Sequence, residues 1–179
     1  VIVGSAQANS SIQLYVGGVI SGSACITNES GAFSCSLGTV TEGTKSVSAK
    51  ATGANGESIA SQALTIVVDR TKPTVSWSPN GNIWGGANED FPFAFTISEL
   101  TTTLSVQDVR MVCSIPNACA LSGFSGSGIN YSVTFSTIEN TANGGVIGLF
   151  ADSFSDVAGN TNNASNGATI MFDTSGPQA

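Results

Sequence analysis

The chain has 179 residues, of which 41% are hydrophobic and only 9% charged, with a formal net charge of −7 and no histidine. Its five basic residues form no cluster, which excludes a phosphate-neutralising nucleic-acid surface and disfavours an anionic membrane face. The lack of histidine removes the commonest general base and metal ligand, and no apolar run approaches the ~20 residues that span a bilayer.

No signal peptide opens the chain, so any targeting segment is expected outside it. Ile12, Leu14 and Val16 alternate with polar neighbours, which predicts a strand, and Gly17-Gly18 reads as a two-residue hairpin turn. Ser21–Thr27 is the next predicted strand, and Asn28-Glu29-Ser30-Gly31 turns the chain so that Phe33, Cys35 and Leu37 share one face. Ser46–Thr52 and Ser58–Val68 follow, joined through Asn55-Gly56. Further on, Thr74–Ser78 reads as a strand and Pro79–Asp90 as a Gly- and Asn-rich loop. Phe91, Phe93, Phe95 and Ile97 then give one strongly apolar strand face. Val109–Cys113, Ala118–Ser125, Tyr131–Ser136 and Val146–Phe150 are predicted strands, Ala151–Asn166 a polar loop, and Ala168–Phe172 the closing strand. Strands at this spacing, with no helix-period competitor, predict an all-β sandwich or barrel.

A repeat divides the chain. Val67–Pro73 reads VVDRTKP and Met171–Pro177 reads MFDTSGP, each with apolar residues, an Asp, and a Pro four positions later. Proline lacks a backbone donor and biases its predecessor to extended geometry, so both motifs suit a strand end running into a stiff linker. The expected organisation is a short domain over residues 1–70 and a longer one over 73–177.

The segments NESGAFSCSL, EGTKSVSAKATG and VVDRTKP, in that order after Gly4-Ser5-Ala6, resemble the short bacterial Ig-like repeats of large surface adhesins. FTISEL, LSGFSGSGINYSVTF and SDVAGNTNNASN resemble a longer relative, so the resemblance covers nearly the whole chain. It implies two tandem immunoglobulin-like β-sandwich domains, displayed outside the cell as spacers or adhesive modules. The partners it implies are neighbouring Ig-like domains of the same chain, and a host, prey or matrix protein or a glycan. The family usually lacks cysteines, so the two cysteine pairs here depart from it. Fold alone names no ligand.

Chemistry is weighed on few residues. Glu89-Asp90, Asp152 and Asp156 could supply a carboxylate pair, but no aromatic-lined groove accompanies them, and the expectation is a non-enzyme. Asp152, Asp156 and Asn160, with Asp173 at the linker, could give calcium its oxygen ligands; the alternative is that Asp156–Asn160 is only a tight turn. Trp77 alternates with Val75 and is placed in the core. Trp84, in the Gly-rich stretch, is read as a plug at the open end of the sandwich, with ligand stacking as the alternative. A recognition role would fall to the loops Pro79–Asp90 and Ala151–Asn166.

The four cysteines lie as close pairs without C-x-x-C spacing, which favours structural disulfides in an oxidising compartment. Cys25 and Cys35 are symmetric about Ser30, and Cys113 and Cys119 flank a turn at Pro116. The expected bridges are Cys25–Cys35, joining opposed residues of a local hairpin, and Cys113–Cys119, with the same symmetry about a shorter loop that need not be a regular hairpin.

Overall fold

The computed structural model describes residues 1–85, 89–137 and 143–172, and the chain divides into two units, Val1–Arg70 and Thr71–Ala179. Both are built from strands. One 3-10 turn, Val106–Asp108, is the helical element among the described residues, and no helix there is long and apolar enough to cross a membrane.

The first unit contains β1 (Ile2–Ser5), β2 (Ser11–Val16), β3 (Val19–Ile20), β4 (Cys25–Ile26), β5 (Ala32–Cys35), β6 (Gly43–Gly53), β7 (Gly56–Glu57) and β8 (Leu64–Val68). Strands β1 and β5 pair as a two-stranded sheet; β2 and β6 are the centre of a six-stranded one. The β2–β3 hairpin is the predicted one: Val16 faces Val19, and Gly17 and Gly18 take φ of +58° and +83°, the turn that glycine supplies without steric cost. Alternation in β2 buries Ile12 and Leu14, which meet Cys35, Leu37 and Val47 in a small core.

Ser21–Thr27 is not one strand. Gly22 bends it at φ +72°, and only Cys25 and Ile26 pair, with β2. Thr27 is buried because its hydroxyl satisfies two backbone groups, accepting from Ser10 N at 2.9 Å and donating to Gln7 O at 2.7 Å.

The second unit contains β9 (Val75–Ser78), β10 (Gly81–Gly85), β11 (Asp90–Ile97), β12 (Val109–Cys113), β13 (Cys119–Ser127), β14 (Asn130–Thr137), β15 (Asn143–Leu149) and β16 (Ser165–Phe172). One sheet has the order β13-β14-β11-β9 and the other β10-β16-β15-β12. Lettering β9 and β11 as A and B, and β12 to β16 as C to G, gives sheets ABED and CFG, with β10 added parallel to G. That is the immunoglobulin arrangement.

The core between these sheets follows from the alternation read in the sequence. Phe93, Phe95 and Ile97 are buried on one face; Val133 and Phe135 of β14 join them, and Ile147, Leu149 and Ile170 face them from the other sheet. Rings run across the first sheet, with Trp77 4.5 Å from Phe95 and Phe95 stacked on Tyr131 at 5.6 Å. Trp77 is in the core as predicted, and its indole N–H donates to Ser165 Oγ of the opposite sheet at 3.1 Å.

The stretch Pro79–Asp90, read as a loop, contains β10. This edge strand is short and has glycine at both ends, and its parallel pairing with β16, from Gly81–Ala168 to Gly85–Phe172, leaves no local signature.

Candidate functional surfaces

Both disulfides pair as expected, Cys25 with Cys35 and Cys113 with Cys119, at Cα separations of 5.5 and 6.3 Å. Neither closes a hairpin. Cys25 is on β4, which pairs with β2, whereas Cys35 is on β5, which pairs with β1. Cys113 ends β12, at the edge of one sheet of the second unit, and Cys119 begins β13, at the edge of the other. Each bridge therefore ties the two sheets of its own unit together.

The Ala151–Asn166 stretch is held from inside by Asn162, which is fully buried. Its side-chain oxygen accepts from Ser153 N and Phe154 N, both at 3.0 Å, and its amide nitrogen donates to Phe150 O at 2.6 Å and Asn163 O at 2.9 Å. This fixes Phe154 in the core at 2% exposure. Phe154, not Trp84, is thus the loop aromatic that fills the sandwich. Trp84 is 71% exposed, because its neighbour Ile83 packs on the core and alternation turns the indole outward.

Asp156 is buried and heads a tight turn. Its Oδ1 accepts from Ala158 N at 2.8 Å and Asn160 N at 2.9 Å, and its Oδ2 from Asn160 Nδ2 at 2.9 Å. Burial pushes the carboxyl up, but these donors outweigh it and hold the group below its ordinary value. Asp152 lies on the exposed surface, also held low, first by the Thr161 hydroxyl at 2.5 Å and then by Lys72 at 3.4 Å. Asp173 lies outside the described residues. The acid that comes within 4.8 Å of Asp156 in this unit is Glu99, which the sequence reading passed over because it sits 57 residues upstream.

Both lowered carboxyls favour the ionised form in the folded state. Their contribution is complete above the unfolded value, near 4, and disappears as pH falls through the lower folded values. Thermal melts should therefore be flat from pH 7 to about 5 and decline below about 4. Asp156→Asn should flatten part of that decline, whereas Asp152→Asn, removing an exposed pair, should change it little. An unaltered acid limb in Asp156→Asn would contradict the assignment.

In the first unit a groove of about 890 Å³ is floored by Ile12, Leu14 and Val47 and rimmed by the exposed Val3, Ile59 and Leu64. Glu57 is the one carboxylate among its lining residues, and it is bonded to Lys50. A second groove, about 360 Å³, crosses the outer face of the β10-β16-β15-β12 sheet.

Two sheets in the ABED and CFG order define the second unit as an immunoglobulin-type sandwich. The family model "Bacterial Ig-like domain" matches residues 69–172, more than half of the sequence, and the chain belongs to that family. No curated protein matches it. Among solved structures it is similar to the fibronectin(III)-like modules of Clostridium thermocellum CbhA, with 17% identity over 99% of this chain and 87% of that one and a TM-score of 0.39. Domains 4–9 of the surface layer protein SbsC are similar at 14% identity over 97% of this chain and 23% of that one, TM-score 0.41. A putative membrane anchored protein of Corynebacterium diphtheriae is similar at 11% identity over 96% and 53%, TM-score 0.32.

Proposed function

We propose that this chain is a non-catalytic extracellular module, two Ig-like sandwiches in tandem within the array of a bacterial surface protein, serving as a spacer or adhesive element. The observation that carries this reading is the pair of disulfides, one per unit, each joining two sheets. Such bridges persist in oxidising compartments and are rare in the cytosol. In a sandwich whose sheets are joined mainly by side-chain packing, a covalent tie at the edge resists separation of the layers, as suits a segment that transmits load.

The test is staining of intact source cells with antibody raised against this chain, together with thiol titration of the natively extracted protein. Surface staining without permeabilisation and four blocked cysteines are expected. Staining only after permeabilisation, or four free thiols, would overturn the reading.

A further inference from the structure

The outward face of the β10-β16-β15-β12 sheet combines an exposed indole with an arginine and amide side chains. Its orientation is fixed by what alternates with it: Ile83, Met111, Ile147 and Ile170 all pack on the core. The outward residues are therefore Asn82 and Trp84 on β10, Thr169 and Met171 on β16, Val146 on β15, and Arg110 and Val112 on β12. Register places Asn82, Thr169, Val146 and Val112 in one row across the sheet, and Trp84, Met171 and Gly144 in the next. Gly144 carries no side chain, so nothing on β15 stands beside Met171 in that row. The result is an exposed indole on a paired strand, one row beyond a shallow groove lined by Arg110, Asn82, Asn166 and Thr169.

Arg110 is the telling residue. It is half-buried, yet its guanidinium takes part in no hydrogen bond or ion pair among the described residues. No carboxylate lines its groove, although the chain has 12 acidic residues against five basic ones. A guanidinium presenting a planar fork of donors fits a carboxylate from a ligand. The remaining polar groups, Asn82, Asn166 and Thr169, each both donate and accept, which matches hydroxyl groups better than a charged surface.

We propose that this face binds an acidic glycan, with a pyranose ring stacked on Trp84 and a uronate carboxylate held by Arg110. The C–H face of a pyranose is apolar and flat enough to cover an indole, while the ring hydroxyls point sideways to the amides and Thr169. Strands lie ~4.8 Å apart and residues rise ~3.4 Å along each, so Trp84 on β10 and Arg110 on β12, three strands and two outward rows from each other, stand roughly 20 Å apart, and the ligand is an oligosaccharide and not a single sugar. The site is on a sheet face, not in the loops where recognition was first expected. It is independent of the surface-module reading, because purified protein suffices to test it.

The experiment is calorimetric titration with hexasaccharides of galacturonate, of alginate and of hyaluronan, against neutral cellohexaose and laminarihexaose. At least one uronate should bind and the neutral glycans more weakly. Trp84→Ala and Arg110→Gln should each weaken that binding by about tenfold or more, the size of one lost charge-assisted bond or stacking contact, with the melting temperature unchanged. Arg110→Lys, which keeps the charge but not the fork, should recover only part. Failure of all three uronates at millimolar concentration, equal binding of the neutral glycans, preference for an acidic peptide of equal charge, or unaltered affinity in both variants would each overturn the proposal.

Discussion

Asn162→Ala is expected to destabilise the second unit by about 3–5 kcal/mol, a large share of the roughly 5–15 kcal/mol available to a domain. Asn162 uses its whole hydrogen-bonding capacity on backbone: two N–H groups, of Ser153 and Phe154, and two carbonyls, of Phe150 and Asn163. Truncation leaves these groups in a site that is 0% exposed at the asparagine. An orphaned buried polar group costs about 1–3 kcal/mol, and some of the four would recover by local shifts or an admitted water. The loss should extend to packing, since the same bonds hold Phe154 in the core. Urea denaturation followed by tryptophan emission is the measurement, because Trp77 and Trp84 both lie in this unit. Asn162→Asp keeps the acceptor for the two N–H groups but loses the donor and buries a charge, so it should rescue little. A loss under about 1 kcal/mol for the alanine variant would mean that the stretch is held elsewhere.

The alternating segments were legible because a strand buried on one face writes its burial directly into the sequence. Phe91 to Ile97 and Ile12 to Val16 follow that rule, as does the Gly17-Gly18 turn, whose positive φ angles only glycine adopts readily. What was not legible depends on partners far along the chain. β10 is defined by a parallel neighbour about 87 residues away, and its five residues, three of them between glycines, look like a loop to any local reading. The misplacement of Trp84 follows from that. Asn162 was hidden for a different reason: in a chain this rich in asparagine, a buried and fully bonded one carries no distinguishing composition. Glu99 beside Asp156 is likewise a tertiary fact. The disulfides lie between. Short separation pointed to the pairing, but symmetry about Ser30 suggested a hairpin, whereas the chain passes from one sheet to the other between the cysteines.

That difference decides what reduction should do. A cross-hairpin bridge would duplicate a constraint the backbone ladder already imposes, whereas a bridge between sheets adds one that only side-chain packing otherwise supplies. Chain-entropy reasoning gives about 2–3 kcal/mol for each loop, with sequence separations of 10 and 6. The consequence differs between units because their cores differ. The first unit buries Ile12, Leu14, Cys35, Leu37 and Val47, while the second buries an aromatic cluster with branched aliphatics from both sheets. Small domains have little surplus stability, so a loss of about 3 kcal/mol removes much of what the first unit holds and a minor part of what the second holds. Cys25→Ala/Cys35→Ala should therefore melt in two steps by far-UV circular dichroism, the first silent in tryptophan emission since both tryptophans report on the second unit. Its midpoint should fall by more than about 10 °C, from a sensitivity of roughly 4–8 °C per kcal/mol in domains of this size. Cys113→Ala/Cys119→Ala should shift the tryptophan-detected transition by less, since its loop is shorter and its unit larger. Coincident melting of the Cys25→Ala/Cys35→Ala variant and the native protein would show that packing alone holds the first unit's sheets together and that the bridge is dispensable to the fold.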